Sequence, residues 1–219
     1  MKFKIQTKDL KHIVGSVSRV VDPRPTTPAL QGLYIKAKEK TVEVIGSDLD
    51  VVLKARTEAV VEVDGEILVN ARVLSEIVRK LPNGEVVFSD VGSEIKVEIK
   101  KLDFVLRKLD EKTYPEALLV EPETGDAKVI ETEDLFESLK KVGIATSPEG
   151  GRPILTGVFF NNQNNKTELA ATDSYRLATN TISEMPINNI GILSFRALNE
   201  TIKLFENNEE PIKINTNEK

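Results

Sequence analysis

The chain has no cysteine and no tryptophan, one histidine, and only 8 Phe and 3 Tyr among 219 residues. Without cysteine there is neither a disulfide framework nor a thiolate metal site, and a bacterial-type cytoplasm is the plain expectation. The lone His12 sits in a helical pattern, and no nucleophile–base constellation accompanies it. No apolar run approaches the length of a membrane-spanning helix, so no membrane association is expected. The opening stretch Met1-Lys2-Phe3-Lys4-Ile5-Gln6 alternates like a strand and lacks the long apolar region of a signal peptide. Gly150-Gly151 lacks the lysine pattern of a phosphate-binding loop. Asp48, Asp50 and Asp173 are the carboxylates that could be offered for metal or acid–base chemistry, but nothing beside them completes a site. Catalysis, metals and cofactors are therefore not expected. The formal net charge of −5 argues against a wholly basic nucleic-acid binder, although a total says nothing of where charges sit.

What the chain does contain is a long internal echo. Ala171-Thr172-Asp173-Ser174-Tyr175-Arg176-Leu177-Ala178 has a cousin 125 residues earlier in Ile45-Gly46-Ser47-Asp48-Leu49-Asp50-Val51-Val52. Upstream, Arg24-Pro25 and Arg152-Pro153 each lead through a few residues to Gly32 and Gly157 and then to a hydrophobic strand. Downstream, Ile67-Leu68-Val69-Asn70-Ala71-Arg72-Val73-Leu74 answers Ile192-Leu193-Ser194-Phe195-Arg196-Ala197-Leu198. A period of this length exceeds any solenoid repeat and means a duplicated domain.

Residues 2–6 read as a strand. From Thr7, a candidate N-cap, the spacing of Leu10, Ile13, Val14, Val17 and Val21 predicts a helix that Asp22-Pro23-Arg24-Pro25 stops. Strands are expected at 30–36 and 41–45, with one alternating stretch over 51–63. A second helix spans 70–81 with Val73, Leu74, Ile77, Val78 and Leu81 inward, and strands follow at 85–89, 95–99 and 104–109. The acidic, proline-bearing stretch from Tyr114 to Asp126 connects the halves, placing domains at 1–121 and 128–219 with a linker at 122–127. The second half repeats the order: strand 128–131, helix 133–145, strands 156–161, 168–171, 178–182 and 190–193, helix 195–205 and strand 211–215. The first copy has two more strands at the corresponding point, so the second domain is expected to be incomplete at its C-terminal edge, an exposed edge being an aggregation hazard. The fold class is α+β, with repeated domains that each pack two helices on antiparallel sheets.

With Arg-Pro-Thr-Thr-Pro, Gly-Ser-Asp-Leu-Asp, Asn-Ala-Arg-Val-Leu, Tyr-Pro and Ala-Thr-Asp-Ser-Tyr-Arg-Leu-Ala in that order, the chain resembles the bacterial DNA sliding clamp family, the beta subunit of DNA polymerase III. Members have three such domains, and this chain matches the first and most of the second. The resemblance implies the DNA-clamp fold, a ring of head-to-tail homodimeric subunits around double-stranded DNA, and a processivity role without catalysis of its own. Clamp subunits are often catalogued under DNA-directed DNA polymerase, a nucleotidyltransferase, but that chemistry belongs to another subunit of the holoenzyme. The resemblance also implies polymerase and clamp-loader subunits as partners.

Charge is compatible with this reading. The four predicted helices are net basic while the rest of the chain is net acidic, which suits a channel that holds phosphates yet lets DNA slide. Solvated Lys/Arg faces are common on helices, so charge alone does not decide. The resemblance assigns DNA contact to Arg24 and, by the repeat, to Arg152; backbone capping of a tight turn is the alternative for both. Arg72 is next, followed by Lys11, Arg19, Arg79, Lys80, Lys140, Lys141, Arg196 and Lys203. It further implies a partner-peptide pocket with Leu155 and Leu177 as its apolar floor and Thr172, Ser174, Tyr175 and Arg176 as its polar wall. Family clamps often carry Gly-His where this chain has Ser174-Tyr175, so Tyr175 is expected to narrow the groove or alter motif preference. For Asp173 and Arg176 a local ion pair pinning the turn is the competing role. A rival reading of the whole chain is a protein-binding module, or an inhibitor of an intact clamp, that never encircles DNA.

Overall fold

The structure, a computed structural model, describes residues 1–121, 127–148, 151–164, 166–183, 185, 191–205 and 211–215. Residues 122–126 of the expected linker lie outside the described residues, as do Gly150 and Ile190. The chain divides into two compact units, Met1–Val120 and Glu121–Lys219.

The first unit runs β1 (Lys2–Gln6), α1 (Thr7–Val17), β2 (Gly32–Lys38), β3 (Thr41–Ser47), β4 (Val52–Glu58), β5 (Val60–Val63), β6 (Gly65–Asn70), α2 (Ala71–Lys80), β7 (Glu85–Asp90), β8 (Glu94–Ile99) and β9 (Leu102–Leu109). The strands form one antiparallel sheet in the order β4-β3-β2-β6-β9-β8-β7-β1-β5. The single alternating stretch expected over 51–63 is two strands. Ala59, the residue between them, donates its amide to the Lys40 carbonyl at 2.8 Å, continuing the β3–β4 register by one pair. Strand β4 then pairs with β3 and β5 with β1, at opposite ends of the order. Because one residue separates these two end strands, the sheet must curl back on itself.

Period-2 alternation serves two cores at once. Leu33, Ile35, Val44, Ile67 and Val69 face α1 and α2, joining Leu10, Ile13, Val14, Leu74 and Val78 together with Phe3 and Phe88, whose rings stack at 4.7 Å. On the other face Leu30, Tyr34, Ile45 and Leu68 form a second cluster with Tyr114, against which Leu118 and Leu119 pack. Strands β2, β3 and β6 are therefore buried on both sides, which explains their nearly continuous apolar runs. The stretch that begins at Tyr114, acidic and proline-bearing in sequence, thus starts as an apolar strap across this outer face.

Three local expectations change. Helix α1 ends at Val17, before the proline turn, and Thr7 is its first residue rather than its N-cap. The Thr7 hydroxyl instead lies 3.0 Å from the Pro82 carbonyl and 2.8 Å from that of Gly84, tying α1 to the turn after α2. Val73, expected inward, is 47% exposed, because Leu74 and Val78 occupy the buried stripe. Asn70 caps α2, its Oδ1 accepting from the Val73 amide at 3.1 Å.

The second unit contains β10 (Lys128–Ile130), α3 (Glu133–Gly143), β11 (Gly157–Gln163), β12 (Lys166–Thr172), β13 (Leu177–Ser183), β14 (Gly191–Ser194), α4 (Phe195–Phe205) and β15 (Ile212–Ile214). Among the described residues the sheets are β13-β12-β11-β14 and the pair β10-β15. The registers repeat those of the first unit. Gly32 stands opposite Asn70 and Gly157 opposite Ser194, while β1 pairs β7 as β10 pairs β15. The duplicated glycine has a steric cause. A Cβ on Gly32 would lie 2.6 Å from Leu68 Cδ1, and one on Gly157 2.5 Å from Ile192 Cγ2 and 2.6 Å from the Leu193 carbonyl oxygen.

Candidate functional site

The β12–β13 turn is built by one carboxylate. Asp173 Oδ1 accepts from the amides of Tyr175 and Arg176, each at 3.0 Å, and Oδ2 accepts from Arg176 Nε at 3.0 Å. These bonds, the Tyr175 amide first and the Arg176 amide next, hold the Asp173 carboxyl below its ordinary range. The Thr172 hydroxyl donates to the Arg176 carbonyl at 2.7 Å and lies 3.2 Å from the Ser174 amide. Ser174 adopts a left-handed φ of 78°. The β3–β4 turn is the same device: Asp48 Oδ1 accepts from the Asp50 and Val51 amides, Ser47 Oγ accepts from the Leu49 amide, and Leu49 has φ of 83°. The aspartate thus shapes both turns, and Arg176 is its added ion-pair partner in the second.

Sheet register brings the ends of these segments together. Phe159 pairs with Ala170 and Thr172 with Leu177, so the start of β11, the end of β12 and the start of β13 share one end of the sheet. The 3₁₀ turn Pro153–Leu155 leads into that end, with Arg152 as its capping residue. There Tyr175 is 96% exposed and Leu177 68%, Ser174 is also exposed, and Leu155 and Thr172 are half-buried.

The predicted cations lie on and beside the helices. Arg24 is exposed in the turn after α1, where its amide donates to Asp22 Oδ1 at 2.8 Å. The Arg152 carbonyl accepts from the Leu155 amide at 2.9 Å; at both arginines these turn contacts are made by the main chain. Arg19, Arg79, Lys80, Arg152 and Arg196 are exposed. Arg72 is exposed too and meets Glu76 at 3.2 Å. Lys11 differs, being half-buried and donating to the Leu81 carbonyl at 2.8 Å just past the end of α2. Lys141 pairs with Glu137 and Lys203 with Glu200. Helix α3 carries Glu133, Asp134 and Glu137 against Lys140 and Lys141, so the basic excess belongs to α1, α2 and α4, most of all to α2.

The family model for the DNA polymerase III beta subunit N-terminal domain matches residues 1–119, and that for its central domain matches 129–219. The chain belongs to the beta sliding clamp family. It is 32% identical to the Bacillus subtilis beta sliding clamp over 98% of its own length and 59% of that clamp's, and 31% identical to the Micrococcus luteus clamp over 93% and 66%. Among solved structures, the B. subtilis clamp superposes with a TM-score of 0.89 at 30% identity, over 100% of this chain and 60% of that one. The Caulobacter crescentus clamp gives 0.90 at 27% identity, over 99% and 60%. A Bartonella birtlesii clamp solved with griselimycin bound gives 0.89 at 29% identity, over 98% and 59%. The chain thus spans about 60% of the length of these clamps.

Within the clamp units, sequence reasoning overlooked the contact between α1 and α2. Ser18 and Ser75 meet at 2.6 Å, each also bonding a carbonyl one turn earlier in its own helix. Small residues four apart, Ala71 and Ser75, were the available signal for a close helix approach. No helix of the described clamp residues is long and apolar enough to cross a membrane.

Proposed function

We propose that this chain acts as a DNA sliding clamp, a processivity factor that surrounds duplex DNA within a closed ring and tethers polymerase and clamp-loader subunits. The observation that carries the reading is the doubled unit, each copy holding a helix pair on antiparallel strands, with outward cations on α1, α2 and α4. Arg24, Arg72, Arg79, Lys80, Arg152 and Arg196 are its phosphate contacts, binding without regard to sequence; Arg19 follows, and Lys11, half-buried and bonded to the Leu81 carbonyl, contributes least. The domains are 1–121 and 128–219, joined by 122–127. Partner peptides seat on Leu155, Thr172, Ser174, Tyr175, Arg176 and Leu177. The exposed apolar residues Ile154, Phe159, Leu177 and Ile192 on the second unit support such docking.

The test is binding of labelled duplexes of unrelated sequence across a salt series. Equal affinity for all sequences is expected, with a log–log salt slope that falls by about 0.9 for each phosphate contact removed in Arg24→Ala, Arg72→Ala and Arg152→Ala variants. Unchanged affinity and slope in the triple variant would overturn the channel assignment. Sedimentation over a concentration series reports separately whether the chain assembles with itself.

A further inference from the structure

Register sets four residues of the second unit in one row across its sheet. Thr179 pairs with Ala170, Ala170 with Phe159, and Phe159 with Ile192. The first unit has the same row in Lys54, Ile45, Tyr34 and Leu68. Because strand neighbours alternate, Leu33 and Ile35 in one unit and Val158 and Phe160 in the other turn to the helices, and both rows face away from them.

The first row is covered and the second is not. Ile45, Tyr34 and Leu68 are at most 4% exposed, because residues 114–119 lie over them. The Tyr114 ring sits 5.4 Å from that of Tyr34, Leu118 and Leu119 pack beside it, and Lys54 Nζ donates to the Val120 carbonyl at 2.7 Å. In the second unit Phe159 is 44% exposed and Ile192 43%, Ala170 is half-buried, and Thr179 is exposed. A ring and an isoleucine side by side on an open sheet face form an apolar patch of the kind that takes a partner.

We propose that this face seats a partner peptide with the chemistry of the first unit's strap: an aromatic residue, a proline after it, and two leucines four and five residues further on, as in Tyr114-Pro115-Glu116-Ala117-Leu118-Leu119. The ring packs on Phe159 as Tyr114 packs on Tyr34, and the leucines cover the rest of the row. This names the partner of the proposed peptide site and rests on the reading that this unit takes peptides. The first unit already holds such a sequence on the same row of the same fold. Within the strap the amides of Tyr114, Leu118 and Leu119 bond to the strap's own carbonyls, so a separate segment needs no strand pairing to present these side chains. Glu168, opposite Asn161 on the same strands, sets a negative charge near the row, which disfavours nucleic acid there.

The experiment is NMR of the full chain titrated with a synthetic peptide of residues 113–121. Saturable shifts are expected at Phe159, Ala170, Thr179 and Ile192, and a peptide carrying Tyr114→Ala should bind at least about ten-fold more weakly. The chain variant Phe159→Ser/Ile192→Ser should lose affinity by a similar factor, and since both residues are exposed its core is kept. Leu177→Asp tests the β12–β13 turn separately. Loss in both variants upholds the seat and the turn together. Loss in Leu177→Asp alone overturns the seat and leaves the turn as the peptide site, whereas loss in Phe159→Ser/Ile192→Ser alone upholds the seat and removes the turn from it. No shift up to about 1 mM peptide, or shifts confined to Tyr34, Ile45 and Leu68, where the peptide exchanges with the strap, overturns the seat. Self-association of the unliganded chain that the double variant abolishes gives the face to a second copy and overturns it as well.

Discussion

Asp173 and Arg176 close the β12–β13 turn on each other, with Oδ2 accepting from Nε at 3.0 Å while Oδ1 takes two backbone amides. Because these bonds favour the ionised carboxylate, its folded pKa lies below the unfolded one. The stabilisation is present above the ordinary aspartate range and is lost as pH falls through the folded value. The Tyr175 and Arg176 amides should therefore lose protection from exchange in acid, before the strands β12 and β13 do. Asp173→Asn, which keeps an acceptor without the charge, should remove that pH dependence. An acid response that persists in the variant would place its origin elsewhere.

Tyr114 makes a different prediction. Its ring is buried against Tyr34 at 5.4 Å, yet its hydroxyl has no hydrogen-bond partner among the described residues, and burial pushes its pKa up to about 12. Tyr114→Phe should be neutral or mildly stabilising, since nothing is left unpaired. Tyr114→Ala should cost about 3–5 kcal/mol in urea unfolding of the first unit, because it empties the strap's anchor. A raised tyrosine pKa stabilises below the unfolded value and loses that contribution as pH rises, so wild-type stability should decline in alkali more steeply than that of Tyr114→Phe.

The duplicated glycines differ in what an alanine would strike. At Gly32 the methyl meets the buried side chain of Leu68 at 2.6 Å and the Ala29 carbonyl oxygen at 3.1 Å, whereas at Gly157 it meets the backbone oxygen of Leu193 at 2.6 Å, which a side-chain shift does not relieve. Gly157→Ala should cost about 1–3 kcal/mol, and Gly32→Ala less. Calorimetry on both variants compares them directly, and equal losses would contradict the steric account.

Lys11 and Arg79 should separate stability from binding. Lys11 donates to the Leu81 carbonyl beyond α2, so Lys11→Met should lower stability by up to about 1 kcal/mol with little change in DNA affinity. Arg79→Ala, on an exposed face, should do the reverse. Paired thermal melts and salt titrations on the two variants decide the matter.

Much of this was legible in the chain itself. The helix and strand order, the doubled architecture, and the aspartate common to both turns follow from local periodicity and from residues such as Gly32 and Gly157 recurring at one spacing. Those signals are local, and a repeat makes each of them visible twice. The rest depends on groups distant in sequence. That β4 and β5, one residue apart, lie at opposite ends of the sheet depends on their separate partners, β3 and β1. That Thr7 bonds the turn after α2 instead of capping its own helix depends on Pro82 and Gly84. Lys11 looked like any solvated cation until the end of α2 came within 2.8 Å. The helix pairs of the two units also pack differently, Ser18 against Ser75 in the first and the Phe195 ring against Gly143 in the second. No periodicity reports such a contact, since it is made by side chains that meet only when the helices pack.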